Sequence, residues 1–134
     1  MTLKNLFEGD SSQIGEQIHE MTSASLTTEE VVDEPVEVPT TDGKLIEEHH
    51  GIPTTNNPAI SIAHMIAPPH WKEPFQTPEF EEYTYIVSGK KQFIIEGETD
   101  ILEAGQSIKI EKNTRVQYSN PFDESCEYMA ICIP

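Results

Sequence analysis

The chain has 134 residues, the length of one domain with room for an extension. It carries 24 acidic against 8 basic residues, a formal charge of −16, and such a field repels nucleic-acid phosphates and anionic lipid surfaces. No stretch approaches the roughly 20 apolar residues of a membrane-spanning helix, and Met1–Asp10 has no basic segment leading into an apolar run. The expectation is a cytoplasmic protein with neither nucleic-acid nor membrane partners.

The acidity is uneven. Residues 1–50 hold twelve acids against Lys4 and Lys44, a net of −10, and residues 51–134 carry a net of −6. Within the first half, Asp10-Ser11-Ser12-Gln13 has the form of a capping box, and Ile14, Ile18 and Met21 follow at helical spacing, so a short helix is expected over 11–21. Thr27-Thr28-Glu29-Glu30 can cap a second helical turn that Pro35 ends, whereas Val36 and Val38 suit an edge strand. Thr40-Thr41-Asp42-Gly43 reads as a turn. Residues 1–56 together read as a partly ordered acidic extension, with scattered apolar residues that suit an arm packing on the domain or on a partner subunit.

From Pro58 the pattern changes to short β-runs with Gly, Pro and Asn between them. Candidate strands are Ala59–Ile66, Glu82–Val87, Gln92–Glu96, Ser107–Ile110, Val116–Tyr118 and Glu127–Ile133, with turns at Gly89-Lys90-Lys91 and Glu96-Gly97-Glu98. Six short strands at this spacing indicate an all-β barrel or double sheet rather than a βαβ fold. Cys126 and Cys132 lie in the last run. Six residues of strand separate them by roughly 20 Å, too far for a disulfide, so both are expected as reduced, buried thiols.

Two segments carry a family resemblance. Glu82-Tyr83-Thr84-Tyr85-Ile86-Val87-Ser88-Gly89 resembles the end of the first cupin motif, G-x5-H-x-H-x3,4-E-x6-G. The stretch from Gly105-Gln106-Ser107-Ile108 to Gln117-Tyr118-Ser119-Asn120 resembles the second, G-x5-P-x-G-x2-H-x3-N. The resemblance implies a cupin, RmlC-like double-stranded β-helix (a jelly-roll barrel) over residues 57–134. It also implies a homodimer, since such barrels often pair through an outer sheet.

The family's metal-binding histidines are absent. Counting back from Glu82 places them at Gln76 and Pro78, or at Phe75 and Thr77, and the third falls at Val116. Glu111 and Asn113 replace the motif's Pro and Gly, and Asn tolerates the left-handed turn. One amide and one carboxylate make a poor set for zinc, iron or manganese, so no cofactor is expected. The alternative is a divalent metal at a rearranged site formed by His64 with Glu82 and Gln76. His64 shares a strand face with Ile60, Ile62 and Ile66, the usual setting of a hydrogen-bonded core histidine.

A carboxyl buried without a cation is costly to ionise, which suits it to general acid–base work. The candidate catalytic residues are accordingly Glu82 and Tyr118. Gln76, His64 and Trp71 are candidate ligand-binding residues, with Trp71 at the expected barrel mouth. Strand alternation puts Glu82 and Thr84 on one face and Tyr83 and Tyr85 on the other. Lys109, Lys112 and Arg115 are expected to pair with acids of the extension or to attract an anion.

Three functional classes fit, the last a structural dimer with no pocket function. One is a metal-independent isomerase, epimerase, lyase or cyclase using Glu82, by analogy with sugar epimerases, polyketide cyclases and the ethanolamine-utilisation cupins. A second is a barrel that binds or senses a small ligand without turning it over.

Overall fold

The computed structural model describes residues 29–134, so the helix expected over 11–21 lies outside the described residues. Of the helical turn expected from Thr27, the described residues Glu29 and Glu30 are not helical. Residues Glu34–Pro134 form one compact unit. Among the described residues no helix is long and apolar enough to cross a membrane.

The unit is all-β, with one helical turn. Its elements are β1 (Val36–Glu37), β2 (Leu45–His50), α1 (Ile52–Thr55), β3 (Ser61–Ala67), β4 (Trp71–Lys72) and β5 (Glu81–Ser88). There follow β6 (Lys90–Ile95), β7 (Glu98–Glu103), β8 (Ser107–Ile110), β9 (Val116–Asn120) and β10 (Cys126–Ile133). One sheet has the order β1-β2-β3-β10-β5-β8 and the other β4-β9-β6-β7. Every pairing between strands is antiparallel.

The expected division at residue 56 does not coincide with an edge of this sheet. β2 pairs with β3 from Leu45↔Ile66 to His50↔Ile62, and β1 pairs with β2, so residues 36–50 are strands of the sheet. Leu45-Ile46-Glu47-Glu48-His49-His50 lacks period-two alternation, and all six residues are half-buried. Neighbouring strand edges, rather than intrinsic pattern, make it a strand. Val36–Glu37 is the edge strand expected there.

Chain reversals rest on residues that tolerate positive φ. β6 and β7 form a hairpin through Glu96 (φ 50) and Gly97 (φ 82), two left-handed residues as a type I′ turn requires. Gly89 (φ 75) carries the chain from β5 in one sheet to β6 in the other. A Cβ at Gly89 would lie 2.4 Å from the Ser125 carbonyl oxygen, so only glycine fits without displacement. Asn113 takes φ 63 where the family motif has glycine, and its N–H donates to the Pro78 carbonyl at 2.7 Å.

The core lies between the sheets. Ile86 of β5, Phe93 of β6, Val116 of β9 and Tyr128 of β10 are essentially inaccessible to solvent. Asn120, the last residue of the second motif, is fully buried at the end of β9. Its amide donates to the carbonyls of Ala67 (3.2 Å), Pro68 (3.1 Å) and Glu124 (2.8 Å), and its oxygen accepts from the Phe122 N–H (3.2 Å). One side chain thus satisfies backbone groups of two loops that would otherwise be buried unpaired.

Candidate functional site

β5 alternates as expected: Glu82, Thr84 and Ile86 are buried, while Tyr85 is exposed on the opposite face. Glu82 therefore points between the sheets. Its Oε1 accepts a hydrogen bond from the Tyr118 hydroxyl of β9 at 2.9 Å. Its Oε2 accepts one from Thr84 Oγ1 at 2.7 Å. Glu82 and Tyr118, the two candidate catalytic residues, are thus in direct contact across the two sheets. Tyr118 is held edge-on against Phe93, with ring centroids 5.9 Å apart and planes at 81°. Burial first, and the Glu82 carboxylate second, push its phenol well above the ordinary tyrosine range.

Glu82 is not without a cation. Lys91 of β6 is 3% exposed, and its ammonium lies 3.6 Å from the ring centroid of Tyr128, 4.9 Å from that of Tyr118 and 5.0 Å from that of Phe93. A cation enclosed by aromatic faces is attracted by the ring quadrupoles. Those faces do not replace its lost water: burial pushes the Lys91 ammonium down to about 8, against the opposing pull of Glu82. The expected uncompensated carboxylate is replaced by a carboxylate and a strained ammonium in one enclosure. A signal for Lys91 existed. It stands two residues before Phe93 and four before Ile95, so β6 begun at Lys90 puts it in register with the core. Reading Gly89-Lys90-Lys91 as a turn concealed it.

These groups line a cavity of about 160 Å³, with Met65, Phe80, Tyr128, Ala130 and Cys132 among its walls. Lys44 and Glu73 form an ion pair at its edge. Cys132 and Cys126 are free thiols, as expected. Burial pushes them up to about 12 and about 11, which leaves them protonated and poor nucleophiles.

The remaining candidates do not all converge on this cavity. Gln76 lines it but is exposed; its backbone bridges Val116, and its amide donates to Glu73 at 2.9 Å, not to Glu82. Thr84, next but one to Glu82 along its own strand, supplies the second donor to its carboxylate. Trp71 is a core residue and does not line this cavity. Its indole N–H donates to Asp42 at 2.8 Å, and this bond is the main cause holding the Asp42 carboxyl below its usual range. The bond ties the β1–β2 turn to β4.

His64 is on the outer face of β3, because Ala63, Met65 and Ala67 turn inward. Its Nδ1 meets Glu47 at 2.9 Å and its Nε2 meets Glu127 at 2.7 Å. The Glu47 bond, and then Glu127, raise its pKa. The rearranged donor set of His64, Glu82 and Gln76 is therefore not assembled. The positions aligned with the family's ligands do not fit a divalent metal either. Val116 is apolar and fully buried, Gln76 is engaged by Glu73, and both Glu82 oxygens accept hydroxyl donors beside an ammonium. Lys109 pairs with Glu81 (3.1 Å) and Glu111 (3.0 Å), within its own sheet and loop, and Arg115 stacks 4.0 Å from the Phe75 centroid.

Comparison with known proteins agrees with this architecture. The Cupin domain family model matches residues 63–132. The chain is similar to an ethanolamine utilization protein Q from Salmonella typhimurium, with 18% identity and a TM-score of 0.58 over 68% of this chain and 69% of that one. It is also similar to the polyketide cyclase RemF from Streptomyces resistomycificus, with 15% identity and a TM-score of 0.61 over 76% and 70% of the two chains. At these identities the likeness shows the fold. A protein named Endoribonuclease YbeY from Myxococcus xanthus is 38% identical over 97 residues, 72% of this chain. The matched region spans only 33% of that relative's length.

Proposed function

This chain belongs to the cupin family, and from that premise we propose that its barrel binds a small molecule in the Glu82 cavity and moves protons on it without a metal. The observation that carries this reading is the contact of Glu82 with Tyr118, 2.9 Å apart, beside the buried ammonium of Lys91. A carboxylate, a phenol and an ammonium on one cavity lining supply both a proton acceptor and proton donors. Glu82 is the base that accepts a proton from bound substrate, with Thr84 and Tyr118 fixing its carboxylate plane. Lys91 supplies positive charge where anionic character develops. The volume of about 160 Å³ is below the roughly 300–1,000 Å³ of sites for drug-sized ligands, so the ligand has only a few heavy atoms.

The name of the Myxococcus relative raises ribonuclease action as a second activity. The chain's charge of −16 opposes an RNA backbone, and the cavity is small for a nucleotide. The test is an NMR titration of the protein with a panel of small hydroxy, keto and amino compounds, followed through the Met65 and Ala130 signals. For any compound that is turned over, Glu82→Gln should abolish turnover and leave the fold intact. Retained turnover would refute the proton-transfer role.

A further inference from the structure

We propose that Lys91 is a nucleophilic amine that condenses with a small aldehyde or ketone held in the barrel to form an imine. This rests on the reading that the Glu82 cavity is the ligand site. A buried lysine against apolar and aromatic walls is the setting in which an amine is activated for carbonyl chemistry, because desolvation favours the neutral, nucleophilic form. Lys91 meets that description: it is 3% exposed, faces three aromatic rings and still lines a cavity. The charges around it form two opposed sets, Glu82 with Lys91 and Glu73 with Lys44. They cancel, and the rest of the lining is largely apolar. An uncharged carbonyl compound therefore suits the cavity better than an anion.

The step balances with the groups present. The Lys91 ammonium passes one proton, by way of solvent in the cavity that both groups line, to the Glu82 carboxylate and becomes a neutral amine. Its lone pair forms the C–N bond while the carbonyl π pair moves to oxygen. A second proton moves from nitrogen to that oxygen, giving a carbinolamine. Glu82 returns its proton to the hydroxyl, the C–O bond breaks and water leaves as the C=N bond forms. The iminium keeps the third proton and the positive charge, and Glu82 is again a carboxylate. The iminium acidifies the adjacent carbon, and Glu82 is then placed to remove a proton from it.

The test is reductive trapping: the full chain is treated with limiting acetaldehyde and sodium cyanoborohydride at pH 7.5, and the ethylated lysines are mapped by mass spectrometry. With an ammonium near 8 against 10.5 for an exposed lysine, Lys91 holds about 200-fold more free amine. After allowance for restricted entry, it should label at least tenfold faster than Lys72, Lys90, Lys109 or Lys112. The preference should vanish in urea. Labelling should also slow in Glu82→Gln, where the proton relay is removed, despite the larger share of free amine left by loss of the carboxylate's pull. The titratable groups around the amine are Glu82, Glu73, Lys44, Cys126, Cys132, Tyr118 and Tyr128. Exposed lysines labelled while folded Lys91 is not would overturn the proposal. Equal Lys91 labelling in Glu82→Gln would overturn the relay. Acetaldehyde-dependent shifts of Met65 and Ala130 without an adduct would overturn the imine and leave the binding site standing. Neither shifts nor adduct would overturn both.

Discussion

Replacing Lys91 with Met should stabilise the protein at neutral pH. Met has similar length, fills the same space and needs no solvation. The unfolded chain holds the lysine near 10.5 and the fold holds it near 8. At about 1.4 kcal/mol per tenfold change, burying the charged form costs about 3 kcal/mol, net of the attraction to Glu82. Below pH 8 the ammonium is charged in both states and the whole penalty applies. Between pH 8 and 10.5 the unfolded state binds the extra proton, so wild-type stability gains from this group as pH rises. Lys91→Met should therefore be more stable by about 3 kcal/mol at pH 7, and the difference should shrink towards zero by pH 10.5. Urea unfolding followed through Trp71, the single and buried tryptophan, measures it. Taking the variant difference at each pH removes the contribution of groups that titrate alike in both proteins. A Lys91→Met variant less stable than wild type, by an amount constant from pH 6 to 10, would refute this. It would mean that the aromatic faces of Tyr128, Tyr118 and Phe93 more than replace the lost water. A stabilised variant would instead mark Lys91 as a residue kept at a cost in stability, as functional groups often are.

Gly89→Ala should cost about 3 kcal/mol or more, since the new Cβ meets Ser125 and Cys126 backbone atoms at a strained φ. Gly97→Ala, at a similar φ with nothing within 4 Å, should cost only about 1 kcal/mol, and equal losses in urea unfolding would remove the steric explanation. His64, clasped by Glu47 and Glu127 on the outer face, should lend stability that depends on pH. Its folded pKa is raised above the reference value of 6.5, so its contribution is complete below that value and is lost as pH rises through the folded one. The stability difference between wild type and His64→Gln should thus shrink from pH 5.5 to 8.5, and a flat difference would show that the two carboxylates do not bind the imidazolium.

The strands of residues 61–133 were largely legible because period-two alternation survives in them: Glu82, Thr84 and Ile86 inward, Tyr83 and Tyr85 outward. Their family was legible because Gly89, Gly105 and Asn120 stand at the motif spacing, the glycines where positive φ needs them and Asn120 where its amide satisfies backbone carbonyls. Glu82 could be named from the family motif and Tyr118 from strand position. β2 could not, because its partner lies across α1 and its own pattern has no period. The face of His64 was legible, but which side of the sheet that face met was not. Alternation says which residues share a face and is silent on whether the face is core or surface.

Residue type, order and spacing are enough to specify a β-barrel of this family whose glutamate stands without histidine companions. The tertiary structure alone decided that Lys91 occupies the enclosure with Glu82 and Tyr118. β5, β6 and β9 belong to two sheets, and only the packing of one sheet on the other brings their inward residues together. That packing places a carboxylate expected to stand alone on the lining of the same cavity as an ammonium, and it moves the candidate chemistry from the missing metal to an amine.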